Sequence, residues 1–393
     1  MSPSPKPLKN AIFTAIAQVE RGLRGRNSIA TANLQQVRNF LFLQLESPLG
    51  SVVHATPVFE ALRRAAPDAH IAIAASAMAH EVLSLNRYIT RCIPVPSPFE
   101  DLRDARRALK ELLGSMPPGP CAIVTTIGNQ RTRIALIALT TGKGLRAGYT
   151  LAPEIYDLPL RFDPERGQIE SNLDILRRFG HPVSFGEPRV FFSQEESDYA
   201  SGLLAEIPFP ETAPRIAFVT RNSGGQRNQW SQDRFRQLIA PLTQTRGAIP
   251  IFVGTVADAA SIDLLRASLP QPGISAAGKT SVRQLAALLA KCDLAISLDT
   301  GTFHVARAVT LPGVVIAPAW QSACEWLPLE NPRYRVLQGP RLPQPPPDYW
   351  IEEISVAQVL QAALGLLDQF PASAAMRTER VQNSLSLSSA LRQ

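Results

Sequence analysis

The sequence has few of the residues that build metal centres, disulfide frameworks or membrane spans. Its four cysteines form no C-x-x-C pair and its five histidines form no H-x-x-x-H pair, which disfavours a zinc site and favours buried free thiols. No apolar run reaches the roughly 18 residues that a transmembrane helix needs. The N-terminus lacks the apolar core and cleavage site of a secretory signal. We therefore expect a cytoplasmic protein without a metal or other cofactor.

The charge balance is mildly basic, with 40 lysine and arginine residues against 33 acidic residues. This excess suits an anionic ligand or a membrane surface as well as nucleic acid. No basic run is interleaved with aromatic residues, so we do not expect nucleic-acid binding. At 393 residues the chain suits two domains better than one core.

Residues 1–37 are predicted to form a basic N-terminal extension. Within residues 9–26, basic side chains surround four apolar residues that share one face of a predicted helix, namely Ile12, Ile16, Val19 and Leu23. Two interpretations stay open. The segment rests on an anionic membrane surface, or it packs on the protein body or frays.

From residue 38 the chain alternates short apolar runs with amphipathic stretches. The apolar runs are typical of buried parallel strands: FLFLQL, HIAIAAS, CAIVTT, RIAFVT, IPIFVG, DLAISL and GVVIAP. Repeated strand–helix alternation predicts an α/β protein of two Rossmann-like, doubly wound domains that face a cleft. In such domains ligands bind at the carboxyl ends of the strands.

The alternation weakens between about 180 and 213, where glycine and proline accumulate, and it restarts at Arg215. We predict a first domain over 38–205 and a second over 206–370 that includes a C-terminal helix. Residues 371–393 contain few residues able to form a core, so we predict a disordered tail.

The stretch SLDTGTFHVARAV at 297–309 carries the most specific chemical signal. A strand that ends at Leu298 delivers Asp299 to a strand-to-helix turn, and His304 falls about one turn into the helix. Free N–H groups and the helix dipole make such a turn suitable for phosphate. Two interpretations stay open, a ligand site or an ordinary cap with a core histidine.

A second turn, RNSGGQRNQW at 221–230, follows the strand RIAFVT. Two glycines between Arg221 and Arg227 suit a loop that wraps an anion, although a flexible surface loop has the same composition. The stretch lacks both G-x-x-x-x-G-K-[ST] and G-x-G-x-x-G spacing, which argues against a P-loop and a dinucleotide fold.

Together these stretches resemble the heptosyltransferase-type glycosyltransferases of family 9. The resemblance spans roughly 38–367, and its most specific block contains Gly278, Asp299, Thr300, Gly301, His304 and Pro312. It implies a GT-B fold whose C-terminal domain holds a nucleotide-diphosphate sugar and whose N-terminal domain holds the acceptor. It also implies inverting, metal-independent transfer, typically of heptose from an ADP-linked donor onto lipopolysaccharide or another lipid-linked cell-envelope glycan. Residues 9–26 would then contact the inner membrane peripherally.

The resemblance also implies roles for individual residues. Thr300 and Gly301 present N–H groups to the donor diphosphate, Asp299 binds sugar hydroxyls, and His304 supports the turn. N–H dipoles stabilise the charge that builds on a departing diphosphate. The remaining candidate donor residues are Ser223, Gly224, Arg227 and Asn228, and Gly50 is a candidate acceptor residue. Arg131 opens a predicted helix after the strand CAIVTT, and it either meets a phosphate or carboxylate of the acceptor or lies at an ordinary solvated helix start.

The sequence departs from the family pattern at two positions. The presumed general-base aspartate after Gly50 is replaced by Ser51, and the diphosphate-binding lysine falls at Asn228, beside Arg227. A serine hydroxyl cannot accept a proton near neutral pH. Arg227 could supply the missing charge, but a guanidinium does not occupy the place of a lysine without rearrangement.

Three explanations of Ser51 stay open. The base has moved, with Glu46 at the end of the strand or His54 one turn into the helix as the nearest candidates. Alternatively, the substrates need a weaker base, or the protein binds a sugar nucleotide or glycan without transfer. A sugar-nucleotide epimerase or hydrolase on the same fold is a further alternative.

Overall fold

The computed structural model describes residues 14–15, 19, 31–141, 144–222 and 227–386. The chain divides into two compact units, residues 1–186 (unit 1) and 187–393 (unit 2). Most of the predicted N-terminal extension, including most of residues 9–26, lies outside the described residues, and its membrane contact stays a prediction. No described helix combines the length and the apolarity needed to cross a membrane.

Unit 1 is a six-stranded parallel sheet connected by helices, in the order β3-β2-β1-β4-β5-β6. All six residues of the central β1 are buried, and Phe40 pairs with Ile71 on one side and Ala122 on the other. Its elements are a 3₁₀ helix (Thr31–Gln36), β1 (Asn39–Gln44), α1 (Leu49–Ala65), β2 (His70–Ala75), α2 (Ala77–Leu83), β3 (Arg91–Pro94), α3 (Leu102–Gly114), β4 (Cys121–Thr125), α4 (Thr132–Thr141), β5 (Leu145–Tyr149), a 3₁₀ turn (Pro153–Ile155), β6 (Leu158–Leu160) and α5 (Gln168–Arg178).

Unit 2 repeats this plan, with a parallel sheet in the order β12-β11-β10-β7-β8-β9. Its core joins the sheet to Trp230, Phe235 and the helix over residues 356–369. Its elements are α6 (Gln194–Leu204), β7 (Arg215–Val219), α7 (Gln232–Arg246), β8 (Ile249–Phe252), a 3₁₀ turn (Val256–Asp258), α8 (Ala259–Ala267), β9 (Ile274–Ser275), α9 (Val282–Ala290), β10 (Leu294–Leu298), α10 (Gly301–Ala308), β11 (Gly313–Ala317), α11 (Ala323–Trp326), β12 (Tyr334–Gln338), α12 (Val356–Gln369) and α13 (Ala374–Ser384).

The prediction of two doubly wound α/β domains is confirmed, and the seven predicted strands correspond to β1, β2, β4, β7, β8, β10 and β11. In each sheet the strand order reverses at the centre, between β1 and β4 and between β10 and β7. These reversals are the topological switch points where open α/β sheets bind ligands.

The predicted domain boundary and the predicted disordered tail are wrong. The boundary lies at 186/187 rather than at 205/206, because α6 packs against α9 of unit 2. Residues 374–384 form α13, in which Arg377 is buried and donates from Nη2 to Asp293 Oδ2 at 2.8 Å. Composition misled here because buried ion pairs, and not apolar side chains alone, hold this helix in place.

Candidate functional site

The predicted strand-to-helix turn of unit 2 lies at the switch point between β10 and β7. Thr300 has extended dihedrals and is the N-cap of α10, which begins at Gly301, yet its side chain caps no N–H group. The Thr300 hydroxyl is buried and finds no hydrogen-bond partner among the described residues. The first N–H groups of a helix have no acceptor within the helix, so this turn offers donors to an anion.

Asp299 and His304 form a buried pair at this turn, with 3.7 Å between Oδ1 and Nε2. Burial, with a smaller contribution from the Glu325 carboxylate, raises the pKa of the Asp299 carboxyl to about 7. Burial also lowers the pKa of His304 to about 3, with the Arg307 cation adding to the effect. His304 is therefore neutral near pH 7, and the pair brings little net positive charge to the turn.

Asn228 fixes the backbone of the turn. Its Nδ2 donates to the carbonyl of Asp299 at 2.7 Å, and its side chain is buried. Its Oδ1 is buried without a partner in the described part of the chain. Asn228 therefore holds the turn by hydrogen bonding but contributes no charge.

The arginines near the turn are engaged elsewhere in unit 2. Arg227, the predicted substitute for the missing lysine, is exposed and donates from Nη1 to the carbonyl of Pro345 at 2.7 Å. Arg221 Nε lies 3.5 Å from Asp258, and Arg307 Nε lies 2.8 Å from Glu187. Ser223 and Gly224 lie outside the described residues.

In unit 1 a cluster of neutral polar side chains occupies the switch point between β1 and β4. Gln44 donates to Thr126 Oγ1 at 2.7 Å and accepts from Ser47 and Asn129. Asn129 Oδ1 accepts from the N–H groups of Leu45 and Glu46 at 2.9 and 3.0 Å. This polar cluster fixes the backbone that leads from β1 into α1.

Ser51 is buried in the first turn of α1, beside this polar cluster. Gly128 has a φ of +97°, and a Cβ on it would lie 2.9 Å from both Ser51 Cβ and Ser47 Oγ. Only a residue without a Cβ allows the loop after β4 to approach Ser51 this closely. The surroundings of Ser51 are therefore neutral and tightly packed.

Glu46 is the more accessible of the two predicted substitute bases. Its side chain is 20% exposed, accepts from Ser97 Oγ at 2.8 Å and lies 4.0 Å from Arg131 Nη1. His54 is buried on α1, and its carbonyl accepts from Asn172 Nδ2 at 3.3 Å. Burial leaves His54 poorly placed to receive a proton from a substrate.

In unit 1, Glu46, Ser51 and Arg131 thus lie at the edge of the sheet where the carboxyl ends of the strands meet. In unit 2, Asn228, Asp299 and His304 lie at the corresponding edge. Gly50 lies buried in the first turn of α1. The sequence interpretation missed Gly128 and Asn129, although the GNQ stretch directly after the CAIVTT strand was a signal for them. Among the described residues no group of three or more His, Cys, Asp or Glu side chains could hold a metal ion.

Three solved structures that are described as glycosyltransferases have a similar fold. A glycosyl transferase family 9 structure from Veillonella parvula covers 84% of this chain and 98% of its own, with 20% identity and a TM-score of 0.75. The E. coli ADP-heptose lps heptosyltransferase II covers 84% and 99%, with 19% identity and a TM-score of 0.68. E. coli heptosyltransferase WaaC with ADP-2-deoxy-2-fluoro heptose covers 82% and 98%, with 16% identity and a TM-score of 0.59. The fold is therefore the GT-B fold of glycosyltransferases.

A family model also matches part of the sequence. Residues 129–317 match the model of glycosyltransferase family 9 (heptosyltransferase), and this range includes Asn129, Asn228 and the turn at Asp299. This match agrees with the family 9 resemblance that the motifs of the chain predicted. No curated protein matches the chain significantly.

The close approach at Gly128 predicts a selective loss of stability. Gly128→Ala should destabilise unit 1 by about 1–3 kcal/mol, because the new methyl group meets Ser51 in a backbone conformation that L residues rarely adopt. Hydrogen exchange in β1 and β4 measures the effect. Gly114→Ala, where nothing lies within 4 Å, is the control and should be neutral or slightly stabilising. Equal protection in both variants would contradict the packing described here.

The raised pKa of Asp299 predicts a pH-dependent stability. The folded chain holds this proton more tightly than the unfolded chain, so wild-type stability should fall as pH rises from about 4 to 7, while Asp299→Asn escapes that fall. All four tryptophans lie in unit 2, so urea unfolding followed by their fluorescence measures it. The gain of Asp299→Asn over wild type should grow with pH, by a few kcal/mol at most.

The exposed Asp263, which pairs with Arg266 on α8, supplies a matched control. Asp263→Asn should show the wild-type pH dependence. A stability difference between Asp299→Asn and wild type that stays constant with pH would overturn the assigned pKa.

Proposed function

We propose that the protein is an inverting, metal-independent glycosyltransferase that moves a sugar from a nucleotide-diphosphate donor to a cell-envelope glycan. The observation that supports the proposal is the turn at Asp299. This turn lies at a topological switch point, within the residues that the family 9 model matches. The N–H groups that open α10 are free to meet a diphosphate, and Asp299 stands beside them as an acceptor for sugar hydroxyls.

The donor we propose is ADP-heptose, acting with a lipopolysaccharide or other lipid-linked glycan acceptor at the cytoplasmic face of the inner membrane. Two proteins with this fold support the choice, since one is described as an ADP-heptose lps heptosyltransferase and the other holds a fluorinated ADP-heptose. Contact of residues 9–26 with the membrane would bring such an acceptor within reach.

In the proposed reaction the acceptor hydroxyl attacks the anomeric carbon from the face opposite the diphosphate. The bond from that carbon to the diphosphate oxygen breaks, and the proton of the hydroxyl passes to a base. Charge on the leaving diphosphate is stabilised by the N–H groups of Gly301 and the next residue. Glu46 is the proposed base, because it is a partly exposed carboxylate and His54 is buried.

A second candidate function is donor binding without transfer. The observation that favours it is the packing at Ser51, where Gly128 and neutral side chains surround the position that carries the presumed base in the family. Asn228 in place of the family's lysine also lowers the positive charge available to a diphosphate leaving group.

Donor binding is tested by calorimetric titration with ADP-heptose and with UDP- and GDP-linked sugars. ADP-heptose should bind the wild type, and Asp299→Ala should bind it about tenfold more weakly, because a hydrogen bond to a charged acceptor is lost. Asp263→Ala, which removes an exposed carboxylate of the same unit, should bind as the wild type does. If none of these nucleotide sugars binds, both candidate functions fail.

Transfer is tested by following release of ADP in the presence of a heptose-deficient lipopolysaccharide acceptor. Glu46→Gln should lower kcat by about 10²-fold or more without changing the affinity for ADP-heptose, since the amide cannot take the proton. Glu111→Gln, at an exposed position on α3, is the control. Unchanged turnover removes Glu46 from the mechanism, whereas donor binding without any transfer by the wild type selects the second candidate.

A further inference from the structure

Unit 2 contains a cavity of about 570 Å³ that is remote from the turn at Asp299. It lies between α6, residues 205–211 and α13, and its lining includes the basic residues Arg215, Lys291 and Arg377. Arg215 is the first residue of β7, and Lys291 lies just ahead of β10. The cavity therefore adjoins the amino ends of the two strands whose carboxyl ends carry the candidate donor site.

Arg215 and Lys291 bring positive charge to the cavity, and the surrounding described residues neutralise this charge only in part. Arg215 Nε is buried and has no hydrogen-bond partner among the described residues. Lys291 is half-buried and makes no ion pair within the described part of the chain. Burial lowers the pKa of Lys291, and Arg215 adds to that effect while Asp198 opposes it. A bound anion would relieve the cost of both cations.

The acidic groups around the cavity do not cancel this charge. Asp293 is buried and bound by the guanidinium of Arg377, and Arg380 lies 3.9 Å from the same carboxylate. Glu211 lines the mouth, with its side chain 80% exposed and 3.9 Å from Arg215. An ion pair so open to solvent contributes little. Arg215 and Lys291 are therefore available to bind an anionic ligand.

Part of the cavity lining is apolar. Leu204 is buried, and Ile207, Phe209 and Val381 are half-buried on the cavity surface, where Phe209 also stacks on the Arg215 guanidinium at 5.1 Å. A lining that combines cationic and apolar side chains fits a molecule with one anionic group and one apolar group. A purely inorganic anion would leave the apolar walls in water.

We propose that this cavity binds an anionic amphiphile whose phosphate or carboxylate contacts Lys291 and Arg215 and whose apolar chain lies against Ile207 and Phe209. Charge-assisted hydrogen bonds to the two cations would hold the head group. The same chemistry is found in a lipid head group with its chain and in a soluble organic phosphate. This site is independent of the proposed transferase activity, because it shares no residue with the turn at Asp299.

Three probes test the site by calorimetric titration of the full chain: octyl phosphate, 1-octanol and inorganic phosphate. Octyl phosphate should bind with one site per chain and at least about tenfold more tightly than either of the other two, because only it contacts both the cations and the apolar walls. Tight binding of inorganic phosphate alone would assign the site to soluble phosphates and overturn the amphiphile. Octanol binding as tightly as octyl phosphate would overturn the role of the cations.

Two variants separate the head-group contact from the chain contact. Lys291→Met keeps the aliphatic stem and should weaken octyl phosphate about tenfold while octanol binding stays the same. Ile207→Ser should weaken octyl phosphate about fivefold and leave inorganic phosphate unchanged. Lys110→Met, at an exposed position of α3 in unit 1, is the control for loss of one positive charge. Wild-type affinity in Lys291→Met, or no saturable binding of octyl phosphate by the wild type, would overturn the proposal.

Discussion

The reversal of strand order at the centre of each sheet is the constraint on which both candidate sites depend. Because β1 and β4 lead to helices that depart in opposite directions, the backbone opens between them, and the same holds for β10 and β7. Hydrogen bonds then fix each opening. Asn129 binds the N–H groups that follow β1, and Asn228 binds the carbonyl that follows β10. In both units a buried asparagine sets the shape of the edge where a ligand is expected.

Uncharged side chains, or charged side chains that are already engaged within the protein, dominate the carboxyl-end edge of each sheet. In unit 1, amide and hydroxyl side chains surround Ser51, and in unit 2 the nearby arginines are engaged by Glu187, Asp258 and a proline carbonyl. A donor diphosphate at α10 would therefore depend on N–H dipoles and on Arg227 leaving the carbonyl of Pro345. Such a site discriminates by geometry more than by charge, because dipoles weaken rapidly with distance and angle.

The sequence predicted the inner part of each sheet far better than its edges. The predicted strands are continuous apolar runs, which buried parallel strands require, whereas β3, β6, β9 and β12 are the edge strands of the two sheets. The inner strand β5 was also missed, because it contains the buried Arg146, whose Nε donates to the carbonyl of Ile155. Local motifs identified Asp299, His304 and Asn228 as candidate site residues, and their roles stay a prediction. Gly128 and Asn129 were not, since their importance arises from a strand pairing that spacing alone does not reveal.

The last helix of unit 2 returns to the beginning of the same unit. The N–H of Phe192 donates to the carbonyl of Ser384, and the N–H of Ser386 donates to the carbonyl of Phe192, so the first and last segments of unit 2 lie side by side. A domain whose ends adjoin satisfies the geometric condition for circular permutation and for insertion into a loop of another protein. Unit 2 could thus be inserted into another chain through two junctions that lie close together, without an opening in its sheet.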